Sequence, residues 1–379
     1  MKLVNESGLG KLFDANGFPV VVLEGTSYEM GYQYGALMVE HMQRIWDVIV
    51  QPNINSGALD AEGIEMWHKR AYDTCSTRTR LWFDGVAAGA GWRIENVCML
   101  DHIFEYLIYQ MKLHSFAGCT SIAAWGKNSE DGNVYIGRNL DWGPDFNKFA
   151  QVLTVRKPTD GSYKSASLSW PGISCAVSSL NEKGVYLDVH DGTSMGGSLV
   201  YKDRPSLMNL LQDIMNDAPT KDSLVSRLNG MNNSLSLILT VGDETSVESV
   251  ECSSLGGNRL RSAQGESYVV VNSFLEKSWG LGQRETVSNS LRRYSNMTDR
   301  LAENEGKINA SLTRDLMDLR LFNEDGSFSV GCTKPTKQDA DLTNHQIVTD
   351  VANRKIWLKI PVPEYFIEWT EIDLNELWK

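Results

Sequence analysis

Gly118-Cys119-Thr120-Ser121-Ile122-Ala123-Ala124-Trp125 marks the point where the sequence changes from one pattern to another. Before it, apolar residues recur at helical spacing over residues 28–50, and further helical stretches are predicted at 64–89 and 94–114. After it, short β-type runs alternate with turn signals, which predicts a meander of antiparallel hairpins. A helical first third followed by strand meanders indicates an α+β protein built in layers.

Two glycines in the first predicted helix lie four residues apart, at Gly31 and Gly35. Residues with this spacing share one helix face. Because glycine lowers helix stability, a face that carries two of them predicts close packing against another element.

The composition excludes several classes of protein. The chain has 379 residues, 42% hydrophobic and 22% charged, with a formal net charge of −12. These values are typical of a globular protein, and the acidic balance argues against a nucleic-acid partner. No apolar run approaches the length of a membrane span. No secretory signal is visible, so the default expectation is a cytoplasmic protein, although a signal removed earlier would leave the same sequence.

The cysteines and histidines give no metal pattern. The six cysteines are spread thinly without a C-x-x-C pair, and H-E-x-x-H is absent. We therefore expect neither a metal nor a cofactor, and most cysteines are expected to be small buried side chains. Cys332, in Gly331-Cys332-Thr333, lacks the downstream R-x-x-D that follows Cys119, so we interpret it as structural.

Three stretches downstream of residue 117 carry reactive or polar groups. They are Gly118–Ser121, Gly137-Arg138-Asn139-Leu140-Asp141-Trp142, and Val270–Phe274, with residues 288–293 further on. A cysteine needs a base to become a nucleophile. A cysteine with a free α-amino group contains its own base, since that amine has a reference pKa of about 7.7–8.0. Cutting the bond between Gly118 and Cys119 by an N-to-S acyl shift and hydrolysis would release this amine.

The remaining candidate residues would support such a cysteine. Arg138 would favour the thiolate and Asp141 would orient the ammonium. Side chains alternate along a strand, so these two converge on one site only if the strand ends between them. Asn272 offers a side-chain N–H for an oxyanion hole.

These residues resemble the cysteine N-terminal-nucleophile hydrolases. The similar groups are the acyl-coenzyme A:6-aminopenicillanate acyltransferase-like family, the acid ceramidase-like amidases and the bile-salt (choloylglycine) hydrolases. The resemblance rests on C-T-S followed by G-R-N-x-D, at Cys119–Ser121 and Gly137–Asp141. Weaker similarity extends to Gly25–Gly35, Val271–Phe274 and residues 288–292. The family usually has threonine at the position of Val271.

The resemblance implies a fold, a maturation step and a set of site residues. The fold is a four-layer αββα sandwich, with residues 1–118 as a helical propeptide region and 119–379 as the catalytic region of one compact domain. By resemblance, autocleavage occurs between Gly118 and Cys119 and activates a zymogen. The catalytic residues so implied are Cys119, Arg138, Asp141, Asn272 and Arg292. Asn272 has either an oxyanion role or an amine-positioning role, Arg284 competes with Arg292, and the roles of His190 and Asp191 are left open.

The implied activity is an amidase or acyltransferase that acts on linear amide C–N bonds through an acyl thioester at Cys119. The partner would be a small N-acyl amide or peptide substrate, and assembly into a homo-oligomer is left open. An ester hydrolase of the phospholipase B-like kind is an alternative on the same fold. A second is a serine enzyme using Ser194 in Gly192-Thr193-Ser194-Met195-Gly196, which fits G-x-S-x-G, although the next predicted helix begins only near Pro205. A third is a non-catalytic interaction scaffold.

Overall fold

The computed structural model describes residues 1–110, 118–142, 144–283, 286, 290–318, 343–362 and 366–379. Two of the residues discussed above, Arg284 and Cys332, lie outside the described residues. So do Ser288 and Asn289 of the weaker similarity.

The larger of two β-sheets has the strand order β1-β2-β3-β6-β7-β8-β9-β10-β11-β12. Neighbouring strands are antiparallel except for the parallel pair of β3 and β6. The strands are β1 Lys2–Ser7, β2 Gly10–Ala15, β3 Phe18–Gly25, β6 Val152–Pro158, β7 Ser165–Ser169, β8 Ser178–Asn181, β9 Tyr186–Asp191, β10 Leu237–Gly242, β11 Val247–Ser253 and β12 Gly257–Arg261.

The smaller sheet is antiparallel throughout and has the order β13-β4-β5-β14-β15-β16. It contains the two strands that carry the candidate cysteine and arginine. The strands are β4 Gly118–Gly126, β5 Gly132–Asp141, β13 Ser267–Val270, β14 Thr343–Asp350, β15 Lys355–Ile360 and β16 Ile367–Asp373.

The helices come mainly from the first third of the chain and from the segments after β9 and β13. They are α1 Ser27–Ile45, α2 Gln51–Asn55, α3 Ala61–Thr74, α4 Thr77–Ala90, α5 Ile94–Asp101, α6 Ile103–Tyr109, α7 Thr193–Gly196, α8 Leu207–Asp217, α9 Lys221–Asn229, α10 Ser290–Glu303, α11 Ala310–Met317 and α12 Leu374–Leu377. A π-helical turn, Trp46–Val50, continues α1, and 3₁₀ turns occur at Pro144–Lys148 and Lys277–Trp279.

Three hydrophobic clusters define four layers. The central cluster combines side chains of the larger sheet, such as Leu153 and Leu168, with Val134 and Ile347 of the smaller sheet, so the two sheets are stacked face to face. A second cluster joins the outer face of the larger sheet to helices α1, α3–α6, α8 and α9. A third joins the outer face of the smaller sheet to α10 and α11. The predicted α+β class and αββα layering are therefore confirmed.

Helices α1 and α4 pack through glycines on both sides, as the spacing of Gly31 and Gly35 predicts. A Cβ built on Gly35 would lie 2.3 Å from the carbonyl oxygen of Val86. A Cβ built on Gly89 would lie 2.0 Å from the carbonyl oxygen of Tyr32. Since both neighbours are backbone atoms, neither helix has room for a side chain at these points.

Some element boundaries differ from the predictions. The predicted helix over 64–89 is two helices, because Ser76 leaves helical geometry and caps α4 by accepting a hydrogen bond from the backbone N–H of Thr79. Strands β1 and β2, which precede the predicted helical region, were not predicted. Among the described residues, no helix is both long and apolar enough to cross a bilayer.

Candidate active site

Cys119 lies at the start of β4 and is 1% exposed. Its backbone N–H donates a 2.7 Å hydrogen bond to Oδ1 of Asn272. Its Sγ lies 3.9 Å from Nη2 of Arg138 and 3.9 Å from the carbonyl oxygen of Asp141. The thiol and the backbone nitrogen of one residue are thus each held by a different candidate residue.

Arg138 is fully buried in β5, the strand that pairs with β4. Its guanidinium donates to the carbonyl oxygen of Val177, which precedes β8, to the hydroxyl of Ser178 in β8 and to the carbonyl oxygen of Val189 in β9. A side chain with so many fixed partners cannot swing away, so the positive charge stays beside the sulfur. Such a charge favours the thiolate form of a cysteine.

Asp141 is the last residue of β5, so the strand does not end before it. The alternation of side chains therefore puts its carboxylate on the face opposite to Arg138, where Oδ1 accepts a 2.7 Å hydrogen bond from the hydroxyl of Thr343. The side chains of Arg138 and Asp141 would converge only if the strand ended between them. Instead β5 continues to Asp141, which pairs with Gly118 of β4 and with Thr343 of β14. Asp141 faces the thiol with its backbone carbonyl.

Asn272 follows β13 and is fully buried. Its Oδ1 accepts hydrogen bonds from Cys119 N and, at 2.9 Å, from Nη2 of Arg293. Its Nδ2 donates to the carbonyl oxygen of Asp191 at 3.0 Å. These contacts favour the amine-positioning role of Asn272, since its side-chain oxygen holds the nitrogen of Cys119. An oxyanion role would need a free amide N–H, and one of the two is already bonded to the carbonyl oxygen of Asp191.

The arginine that reaches the site is Arg293, which sequence reasoning did not select. Arg293 is 1% exposed and donates to the carbonyl oxygen of Cys119 and, at 2.9 Å, to Oγ1 of Thr120. The expected residue, Arg292, lies exposed on α10. Successive residues of a helix differ by about 100° in direction, so only one of two adjacent arginines can face the sheet. Ser290 and three further residues of α10 are buried, and these three have the i, i+4, i+8 spacing that could have identified Arg293: Arg293, Met297 and Leu301.

Burial sets the protonation of the two acidic groups. Burial raises the pKa of the Cys119 thiol above its ordinary value, and the Arg138 guanidinium opposes this only in part. Burial likewise raises the pKa of Asp141, against the influence of Arg293, Thr343 and Arg138. The raised pKa keeps the sulfur in its thiol form near neutral pH.

A buried polar network lies behind the cysteine. Ser121 Oγ donates to Oδ2 of Asp188 at 2.7 Å and lies 3.1 Å from Nε2 of His190, which is itself 2.8 Å from Oδ1 of Asp188. Burial lowers the pKa of His190, so the imidazole is neutral. The network links β4 to β9 across the two sheets, and its histidine bonds these neighbours rather than the thiol of Cys119.

An apolar cavity lies next to the strand partner of Cys119. Leu140 lines it and is the register partner of Cys119. Val189 and Asp191, whose backbones hold Arg138 and Asn272, also line it. The full lining is Phe104, Glu105, Ile108, Leu140, Trp142, Trp170, Val177, Val189, Asp191, Met208, Leu235 and Leu237. Apolar walls of this kind suit the apolar part of a small ligand.

Ser194 is exposed on α7, a single turn of helix that begins directly after β9. The helix thus starts earlier than the sequence indicates, and G-x-S-x-G follows a strand and itself forms the short helix with its N-cap. The nearest histidine in sequence, His190, is committed to Ser121, Asp188 and Thr240.

No family model and no curated protein matches the chain. Several solved structures are similar. A mutant conjugated bile acid hydrolase from Clostridium perfringens is 13% identical, with a TM-score of 0.48, over 69% of this chain and 94% of that one. Penicillin V acylase from Agrobacterium tumefaciens is 17% identical, with a TM-score of 0.45, over 68% of this chain and 87% of that one. The N-acylethanolamine-hydrolyzing acid amidase ortholog of Caenorhabditis elegans is 14% identical, with a TM-score of 0.44, over 67% of this chain and 99% of that one.

The fold assignment rests on the layers themselves. Two stacked sheets lie between two helical layers, and Cys119 begins a strand of the smaller sheet. The chain therefore has the four-layer αββα architecture implied by its sequence resemblance to the cysteine N-terminal-nucleophile hydrolases.

Proposed function

We propose that the protein is an autoprocessed cysteine amidase or acyltransferase that cleaves linear amide C–N bonds through an acyl thioester at Cys119. One observation carries this proposal. The backbone nitrogen of Cys119 is held at 2.7 Å by Asn272 while its sulfur lies 3.9 Å from the guanidinium of Arg138. That nitrogen would become the α-amine after cleavage, so base and nucleophile would already be in place.

Maturation would begin with attack of the Cys119 sulfur on the carbonyl carbon of Gly118. The C–N bond breaks, the nitrogen takes up the thiol proton, and Gly118 is left as a thioester on the sulfur. Water then cleaves the thioester and releases Gly118 as a carboxylate with residues 1–118. The chain 119–379 begins with a cysteine that has both a free amine and a free thiol.

Turnover would use the same two groups. The amine accepts the thiol proton, the thiolate attacks the substrate amide, and the proton passes to the leaving amine. Water resolves the acyl thioester to a carboxylic acid, or a second amine resolves it to a new amide. Arg138 would stabilise the thiolate, Asn272 and Arg293 would fix the amine end of Cys119, and Asp141 would contribute its charge from the opposite face.

The apolar cavity lined by Leu140, the strand partner of Cys119, favours a substrate with an apolar acyl group. Its walls are largely aromatic and aliphatic, from Phe104, Trp142 and Trp170 to Leu235 and Leu237. Burying such a group is worth about 25 cal/mol per Å² of apolar surface, so the acyl part rather than the amine would supply the binding energy.

A panel of N-acyl amides with acyl chains of increasing length tests the proposal by amine release. We expect Cys119→Ala to lower the rate by at least about a thousandfold. Cys252→Ala, which truncates another fully buried cysteine in β11, is the matched control and should retain the activity. Full activity of Cys119→Ala would overturn the mechanism. Ester cleavage without amide cleavage would favour the ester hydrolase instead, and an intact chain that is inert to thiol reagents would favour the scaffold.

A further inference from the structure

Arg156 is a buried arginine on the far side of the larger sheet from the smaller sheet. It lies in β6 and is 5% exposed. Its Nη1 donates to Oε1 of Gln212 at 3.3 Å, and its guanidinium lies 4.8 Å from the ring of Trp82. Among the residues that the structure describes, no carboxylate lies within 4.0 Å of it.

Keeping an arginine charged in this buried position costs free energy. Burying an ion without a counter-ion costs far more than burying a paired one. Burial lowers the pKa of Arg156 to about 10, although the side chain still carries its charge at neutral pH. Five N–H donors and one neutral hydrogen bond leave most of its donor capacity unused.

Arg156 lines a cavity between the larger sheet and helices α1, α4 and α8. A smaller cavity shares Arg156, Trp82 and Ser174 with it. The lining of the larger cavity is Ser27, Met30, Arg78, Thr79, Trp82, Arg156, Pro158, Ser174, Gln212, Asp213 and Asn216. The apolar cavity lined by Leu140 has none of these residues in its lining.

The lining contains one other cation, Arg78, and one carboxylate, Asp213, and their side chains lie 3.9 Å apart. Arg78 also contacts Asp160 and Asp217, at 3.5 and 3.0 Å, outside the lining. Of the two cations in the lining, Arg156 is the one without an ion pair within 4.0 Å among the described residues, so its guanidinium is the group that would face the negative charge of a ligand. The carboxylate of Asp213 in the same wall disfavours a doubly charged anion such as phosphate. Met30, Trp82 and Pro158 supply apolar surface for an organic body.

We propose that this cavity is a binding site for a small organic monocarboxylate, separate from the site of Cys119. The two oxygens of a carboxylate match the parallel N–H groups of a guanidinium. The amide N–H groups of Gln212 and Asn216 offer further polar contacts, while the hydroxyl of Thr79 already donates to Asp213. The body of the ligand would lie against Trp82 and Met30.

Calorimetric titration and thermal unfolding of the full chain with sodium benzoate and sodium acetate test this proposal. Sodium chloride and sodium phosphate at equal ionic strength are the reference salts. We expect a saturable rise in Tm with benzoate, a smaller one with acetate, and none beyond the salt effect with chloride or phosphate. Arg156→Met should weaken benzoate binding by at least about tenfold. Arg300→Met removes one positive charge from α10 in the opposite helical layer and should leave binding unchanged.

Gln212→Glu is the second variant, and it remains a test even if the Arg156→Met protein does not fold. It places a carboxylate next to Nη1 of Arg156 and should raise the Tm of the free protein while abolishing the benzoate effect. The proposal is overturned if wild type shows no saturable binding, if phosphate binds as well as benzoate, or if Gln212→Glu binds benzoate as wild type does.

Discussion

Oδ1 of Asn272 accepts a hydrogen bond of 2.7 Å from the backbone N–H of Cys119. The bond joins the segment after β13 to the start of β4, two neighbouring strands of the smaller sheet. It fixes the nitrogen that the proposed cleavage would turn into an amine. The site is thus arranged around both ends of one residue, with Arg138 at the sulfur and Asn272 at the nitrogen.

Replacing Asn272 tests this arrangement. Asn272→Leu removes the acceptor and leaves the N–H of Cys119 without its partner, and we expect amine release to fall by about a hundredfold or more because the nucleophile is misplaced. Asn272→Asp keeps an acceptor oxygen and should retain at least about tenfold more activity than the leucine variant. Wild-type rates in Asn272→Leu, with an unchanged unfolding transition, would contradict the positioning role.

The adjacent arginines of α10 form a matched pair. Arg293→Met removes the donor to the backbone of Cys119 and to Asn272, so we expect self-cleavage and amine release to fall by about a hundredfold. Arg292→Met changes an exposed residue of the same helix, and its rates should stay within about twofold of wild type. Both rates are measured on freshly purified protein. A larger loss of activity in Arg292→Met than in Arg293→Met would instead make Arg292 the arginine of the site.

The pH dependence of self-cleavage follows from the protonation of the thiol. Because burial raises the pKa of Cys119 in the uncut chain, the thiolate is the minor form at neutral pH. The rate should therefore rise by about tenfold per pH unit while the pH lies below that pKa. It should continue to rise beyond the ordinary thiol value of 9.0. Appearance of the two fragments, followed by mass spectrometry from pH 7 upward, measures this, and a plateau below that value would contradict it.

The glycine contact between α1 and α4 gives a prediction about stability. Gly35→Ala would push a methyl group against the carbonyl oxygen of Val86, and we expect it to lower the free energy of unfolding by about 1–3 kcal/mol. Gly63→Ala is the control, since in α3 the nearest atom is the flexible end of Leu59, at 3.1 Å, and alanine favours a helix. Denaturant titration compares the two. Equal stability of both variants would show that the helices can separate at no cost.

The layered architecture could be predicted because its signals are local. Helical spacing before residue 118 and turn-bounded strands after it indicate an α+β protein, and Gly31 with Gly35 indicates the close helix contact. Cys119 and Arg138 could be paired from short motifs that lie on adjacent strands. The orientation of Asp141 could not be fixed, because it depends on whether β5 continues to pair with β14.

The choice between the two adjacent arginines of α10 could not be made from the sequence for a related reason. Arg292 and Arg293 are neighbours, and their directions depend on the rotation of the helix against the sheet, which the apolar residues Met297 and Leu301 set. The cavity around Arg156 has no signal in sequence. It arises where β6, α4 and α8 meet, and these elements lie far apart along the chain.

The central claim is that the acyl group is carried by Cys119 at the start of a processed chain. Mass spectrometry of protein quenched in acid during turnover of an N-acyl amide tests it most directly. We expect the mass of the acyl group on the peptide that begins at Cys119, and its loss on treatment with hydroxylamine. An acyl group on another residue, with Ser194 the foremost alternative, or unchanged turnover by Cys119→Ala would contradict the claim.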